Sequence, residues 1–269
     1  MSQLEKEFII EIDYTKSPRE NAVNYFEASK SARKKIDGFT KAIEFEKKKR
    51  AESEKKAFAN KESLLKTIKQ NKKWFSRYRW FYTSDNFLVI GGKDAQSNEE
   101  IVKKRMLPED LYFHAEVFGA PHCVLKTDKK EIPLQSKKEV AQFAGTFSKA
   151  WQEGRTQADV YSVKPEQVSK KAPTGESLGS GAFMIYGERE WFKKTILSCA
   201  IGFYKKDNCL MSGPLVAVKK HCSFFVEINQ GTLTKEECAK KLKEIFSKKG
   251  LAFKIDDFVS VLPTDKLGL

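Results

Sequence analysis

A chain of 269 residues with 40% hydrophobic content can bury a core, as one large domain or a domain with extensions, and its apolar runs stop well short of the roughly 20 residues of a membrane span. Fifty lysines and arginines against 36 acidic residues give a formal charge of +14, which calls for a polyanionic partner and leaves ribosomal RNA, transfer RNA, DNA and acidic lipid open. Cys123, Cys199, Cys209, Cys222 and Cys238 include no CxxC pair, so neither a zinc site, a disulfide framework nor a cofactor is expected, and with no signal-peptide pattern the reading is a soluble, cytoplasmic protein.

Phe8 to Ile12 is a short strand candidate. Ser17-Pro18-Arg19-Glu20 is a capping box with proline at the first helical position, so a helix should start at Pro18. Ala22, Tyr25, Ser29, Ala32, Ile36, Phe39 and Ile43 follow alternating steps of three and four, a coiled-coil seam that Gly38 weakens without ending. Between Pro18 and Lys73 there are 17 basic and 8 acidic residues, which makes residues 1–73 a basic coiled-coil arm, either a solvated helix face or a phosphate-contacting one. One long helix and a helical hairpin turning near Asn60 both satisfy the pattern.

Arg79 to Thr83 and Phe87 to Ile90 are β-rich runs, and Ser84-Asp85-Asn86 between them has the chemistry of a three-residue hairpin loop. Alternation puts Arg77 and Arg79 on one face and Trp80 on the other. Ser97-Asn98-Glu99-Glu100 should open a short helix to about Met106, and Leu111 to Glu116 and His122 to Lys126 read as paired strands. Ser136-Lys137-Lys138-Glu139 is a second capping box, starting a helix whose buried stripe runs from Val140 to Trp151 and crosses a mixed sheet. Asp159 to Lys164 and Ala182 to Tyr186 add strands on either side of the glycine-rich loop 173–181. Beyond Trp191, Ile196 to Tyr204, Leu215 to Lys219 and Phe224 to Ile228 are strand-like, and a helix runs from Glu236 to Lys249 with Thr234 and Glu237 as caps and Gly250 as stop. The fold class is α+β: a coiled-coil arm at 1–73, a mixed-sheet domain at 74–192 and a small α/β extension at 193–269.

The segment Lys72 to Lys93 combines cations for phosphates, planar groups for stacking and backbone for close approach. Arg77 and Arg79 are candidate contacts because arginine is rarely buried without a partner, whereas Trp80 competes between base stacking and core packing. Gly91, Gly92, Lys93, Asp94 and Asn98 read either as a phosphate-approach loop or as a strand-ending turn. Lys164 and Lys170 sit at a strand end suited to phosphate contacts, and Arg189 and Lys193 near Trp191 extend that patch or form ordinary solvated surface. His114, His122 and Cys123 suggest metal or nucleophilic chemistry, but His122 and Cys123 must face opposite ways in a regular strand, so neither a catalytic nor a metal site is expected.

Trp74 to Asn98, then Asp110 to Ala115, Gly119-Ala120-Pro121, Ala141 to Ala144, Asp159 to Lys170, Pro173 to Glu176 and Gly181 to Gly187, taken in this order, resemble the RNA-binding domain of the NFACT family of ribosome quality-control factors. Asp13 to Lys35 resembles the coiled coil that precedes that domain, which favours the helical hairpin, and the tail resembles the C-terminal extension of archaeal members. The resemblance implies that Gly91, Gly92, Asp94, Asn98, Glu99 and His114 shape or line a functional surface. It also implies a binding protein without catalysis of its own, acting on large ribosomal subunits obstructed by peptidyl-tRNA through ribosomal RNA or tRNA. The family's N-terminal tRNA-engaging domain has no counterpart in this sequence, which leaves room for a separate polypeptide carrying that half. The alternatives are a freestanding nucleic-acid-binding protein and, in a different class, a hydrolase using Asp94 and His114.

Overall fold

The computed structural model describes residues 10–64, 70–171 and 178–269, which fall into two compact units, 1–64 and 65–269. The first unit is built on helix α1 (Pro18–Leu64). Its expected capping box forms: Glu20 N donates to Ser17 Oγ at 3.3 Å and Ser17 N to Glu20 Oε2 at 2.8 Å. The helix passes Asn60 without a turn, so the favoured hairpin is replaced by one continuous helix, as a segment free of proline and of paired glycines allows. Phe8 and Ile9 lie outside the described residues, and Ile10 to Ile12 form no strand. That segment is held to the helix by Tyr25, whose hydroxyl donates to Glu11 O at 2.7 Å.

The second unit contains a six-stranded sheet in the order β1 (Arg79–Tyr82), β2 (Leu88–Gly91), β4 (Cys123–Leu125), β3 (Leu111–Ala115), β5 (Gln157–Val163) and β8 (Glu190–Ile196), with every pairing antiparallel. The β1–β2 hairpin closes as the turn residues require, with Asn86 in the left-handed region (φ 69°) and Thr83 N donating to Phe87 O at 2.9 Å. Helix α3 (Leu134–Thr146) crosses one face, packing Phe143 against Phe81, with ring centroids 4.8 Å apart. A small ribbon, β6 (Val168–Ser169) with β7 (Met184–Ile185), stands apart from the sheet.

A four-stranded sheet, β10 (Cys209–Gly213), β9 (Cys199–Tyr204), β11 (Phe225–Leu233) and β12 (Leu267–Gly268), packs with α5 (Leu215–His221), α6 (Lys235–Lys248) and α7 (Ile255–Val261). Ala200, Tyr204 and Met211 share a core with Phe81 and Phe143, so the expected boundary at 193 does not separate two cores.

Several element boundaries differ from expectation. Ser136 does not cap α3: the helix starts at Leu134, and the buried Ser136 hydroxyl instead bonds Thr83 Oγ1 (2.9 Å) and Asp85 Oδ2 (2.7 Å). Glu139 is likewise committed to tertiary structure, accepting from Ser84 N at 2.7 Å. The stripe from Val140 to Trp151 is split at Phe147, because Ser148 caps a separate turn, α4 (Lys149–Gln152). Leu215 to Lys219, expected as a strand from its β-branched valines, is helical: Pro214 stands at its N-cap, and Leu215 and Val218 recur at helical spacing. The run expected from Ile196 to Tyr204 divides between β8 and β9. The expected helix from Glu236 forms as α6, with Thr234 and Glu237 in a reciprocal cap and Gly250 at φ 79° beyond its end.

Candidate nucleic-acid interface

Alternation along the sheet assigns Phe81, Phe113 and Cys123 to the face under α3, and Trp80, Tyr112, His114, Tyr161 and Trp191 to the other. On that second face His114 stands opposite Tyr161 and Tyr161 opposite Trp191, so three adjacent strands present a continuous row of rings. Arg189 lies over two of them, its guanidinium carbon 4.5 Å from the Tyr161 centroid and 5.7 Å from that of Trp191, and its Nη1 is 3.8 Å from Glu116. Trp191 remains 38% exposed, and Lys193 follows it on the same edge strand.

Behind the row the imidazoles are buried. Tyr112 Oη and His122 Nδ1 are 2.7 Å apart, and the two histidine rings have centroids at 4.9 Å. Burial, aided by the neighbouring His114 and Lys170, pushes the His122 pKa down to about 3, and burial is the main reason His114 falls to about 4. Both imidazoles are therefore neutral at physiological pH and act as planar, hydrogen-bonding groups. Cys123 faces the other way, where burial drives its thiol far above the usual range. Among the described residues no group of three or more His, Cys, Asp or Glu side chains is placed to hold a metal ion.

The glycine-rich turn is tied to this face. Asn98 Oδ1 accepts from His122 N at 3.0 Å, and a Cβ on Gly92 would overlap that amide and lie 2.9 Å from Asn98 N. Asp94 caps α2 (Ala95–Glu100), accepting from Ser97 N at 2.7 Å, so this helix begins two residues before the expected Ser97 and ends in a wider turn over Ile101–Arg105. Glu99 reaches across to the loop beyond residue 177: it accepts from Ser180 Oγ (3.0 Å) and Gly181 N (3.1 Å) and pairs with Lys103 at 2.5 Å. Lys103 first, then these two donors, hold its carboxyl at about 2. The residues of this motif thus set the backbone that carries the histidine face.

The RNA-binding domain model of the NFACT proteins matches residues 77–187. The archaeal Rqc2 homolog aRqcH of Methanocaldococcus jannaschii is 39% identical over 202 residues, 74% of this chain and 30% of the relative. The chain belongs to the NFACT family. The ribosome quality control complex subunit NEMF homolog of Drosophila melanogaster is 34% identical over 74% of this chain, and human NEMF is 35% identical over 71%. The chain spans 20% and 18% of those two relatives, a fraction of each.

In this NFACT chain the residues expected to contact nucleic acid do not share one face. Arg77 belongs to a 3-10 turn (Trp74–Arg77) rather than to the strand, and is paired with Glu100 at 2.6 Å. Trp80 is 8% exposed, packed edge-on against Phe75, Tyr82 and Tyr204, where no base can reach it. Lys170 is turned inward as a strap, donating to Gly179 O (2.8 Å) and Ala182 O (3.1 Å) over the Phe183 ring. Lys164 is exposed at the end of β5. Arg79, Gly91 and Lys93 lie on the α3 side, Gly91 beneath Cys123 Sγ and Phe143. His114 alone of the expected set lies on the aromatic row. Asp94 and His114, the hydrolase candidates, share no hydrogen bond or ion pair. Tyr112 and Tyr161 were not singled out by sequence reasoning, and His122 was weighed only for metal or nucleophilic chemistry; their ring character at alternating strand positions was the available signal.

Proposed function

We propose that this chain is the RNA-contacting part of a ribosome-associated quality-control factor, cytoplasmic and non-catalytic, which binds large ribosomal subunits obstructed by peptidyl-tRNA. The single observation carrying this reading is the exposed ring of Trp191 with the Arg189 guanidinium beside it, at the outer end of a row of rings that Tyr161 and His114 continue inward, on an edge that also bears Lys193. Stacking platforms beside cations suit unpaired bases, and a chain of charge +14 is drawn to phosphates at long range. The NEMF relatives, subunits of the ribosome quality control complex, supply the setting. Residues 74–192 would then be the RNA-binding domain, 1–73 its coiled-coil arm and 193–269 its extension. Lys164 adds a phosphate contact, and a separate polypeptide would supply the tRNA-engaging half.

Co-sedimentation with purified large subunits, small subunits and intact ribosomes over a salt series tests this. Selective binding to free large subunits, weakened by Trp191→Ala and by Arg189→Ala, is expected. A loss of about tenfold per stacking residue corresponds to the usual 1–3 kcal/mol of a base on an aromatic ring. Equal binding to any RNA, or binding indifferent to both variants, would overturn the reading.

A further inference from the structure

Of the chain's four tryptophans, Trp80 and Trp151 are buried, whereas Trp191 is 38% and Trp74 47% exposed. Trp191 belongs to β8, at one edge of the six-stranded sheet; Trp74 opens the 3-10 turn before β1, the strand at the other edge. The two indoles therefore stand on distinct surfaces. Indole is among the most buried side chains on average, so one left open on a rigid mount is a candidate for covering by a ligand.

Three contacts fix the Trp74 ring. It meets the buried Phe75 with centroids 5.5 Å apart and planes at 83°, and the buried Tyr78 at 6.4 Å and 74°. The Arg105 guanidinium carbon lies 5.2 Å from its centroid, within the range of a cation–π contact. Phe75 in turn packs on Trp80 and Tyr82, which anchors the turn to β1. A ring so held loses little freedom when a second ring stacks on it. The surroundings are basic. Glu100 pairs with Arg77 at 2.6 Å but reaches Arg105 only at 3.7 Å, so one carboxylate answers two guanidinium groups. Lys73 and Lys103 are paired with Asp207 and Glu99, but Lys72, two residues before Trp74, and Lys104, beside Arg105, are exposed and form no ion pair among the described residues.

We propose that Trp74 is a second stacking site for an unpaired nucleobase, with Arg105, Lys72 and Lys104 attracting the adjoining phosphates. An unpaired nucleotide needs a planar group for its base and positive charge for its backbone, and this patch offers both. An apolar partner would have to desolvate those cations to cover the indole. That the base belongs to RNA rests on the function proposed above.

The test titrates single-stranded oligouridylate, to saturation, into wild type, Trp74→Ala, Trp74→Phe, Trp191→Ala and the double variant Trp74→Ala/Trp191→Ala, reading tryptophan fluorescence and the anisotropy of a labelled oligonucleotide. In Trp191→Ala, Trp74 is the only one of the four tryptophans still exposed, so quenching there reports stacking at this site. Quenching in Trp191→Ala that disappears in the double variant is expected, with affinity lowered about tenfold by Trp74→Ala and less by Trp74→Phe, which keeps a ring. A fully paired RNA duplex presents phosphates without free base faces and should quench far less. No quenching in Trp191→Ala, equal quenching by the duplex, or an affinity that Trp74→Ala leaves unchanged overturns the site. The quenching in Trp191→Ala and the affinity of Trp74→Phe decide the matter even if Trp74→Ala fails to fold. RNA binding by wild type without quenching of Trp74 counts against this site alone, whereas absence of RNA binding by wild type overturns the proposed function and this site with it.

Discussion

Lowering the pH from 7 to 5 should destabilise the second unit through its two buried histidines. In the unfolded chain an imidazole titrates near 6.5, while in the folded protein His122 is held at about 3 and His114 at about 4, burial being the first cause of each. The charged groups facing the pair are Lys170, which lowers His122, and Arg189, which lowers His114, so both reinforce the neutral forms. With folded values depressed, the unfolded state binds more protons through this range, and stability falls as the pH falls. At pH 5 each histidine is almost fully protonated when unfolded and largely neutral when folded, which costs about 2 kcal/mol apiece and about 4 kcal/mol for the pair. That is a large share of the roughly 5–15 kcal/mol by which a domain is stable. Urea unfolding at pH 7, 6 and 5, followed by the fluorescence of the buried Trp80 and Trp151, measures the change. Carboxylates, whose unfolded values lie near 4, contribute little between these limits. The double variant His114→Gln/His122→Gln should flatten the dependence. A wild-type loss below about 1 kcal/mol, or an undiminished slope in the variant, would refute the argument.

Gly92→Ala should cost about 2–4 kcal/mol, seen as a lower urea midpoint, because the added Cβ displaces Asn98 and breaks its hydrogen bond to His122 N. Ser136→Ala removes the buried hydroxyl that ties α3 to Thr83 and Asp85 and should lower stability by about 1 kcal/mol, with hydrogen exchange accelerated in the β1–β2 hairpin; unaltered exchange would contradict it. Thr234→Ala removes the cap of α6 and should cost about 1 kcal/mol, whereas Thr234→Ser should restore nearly all of it.

Wherever local chemistry decides, the sequence was sufficient. The α1 capping box, the Asn86 turn, the α6 cap and the β3–β4 pairing depend on a few neighbouring residues, and the antagonism of His122 and Cys123 follows from strand alternation alone. The colinear motifs from Trp74 to Gly187 carried the family. Long-range contacts decided the rest. Ser136 and Glu139 have the pattern of a cap, yet the arrival of the β1–β2 hairpin gives their oxygens partners 51 to 55 residues away. Arg77 and Arg79 look equivalent in sequence, but Glu100 neutralises the first while the second turns in beneath α7. Trp191 and Arg189 became a stacking surface only when β8 joined the sheet beside β5, because which rings share a face across strands is fixed by register, and register is a property of the assembled sheet.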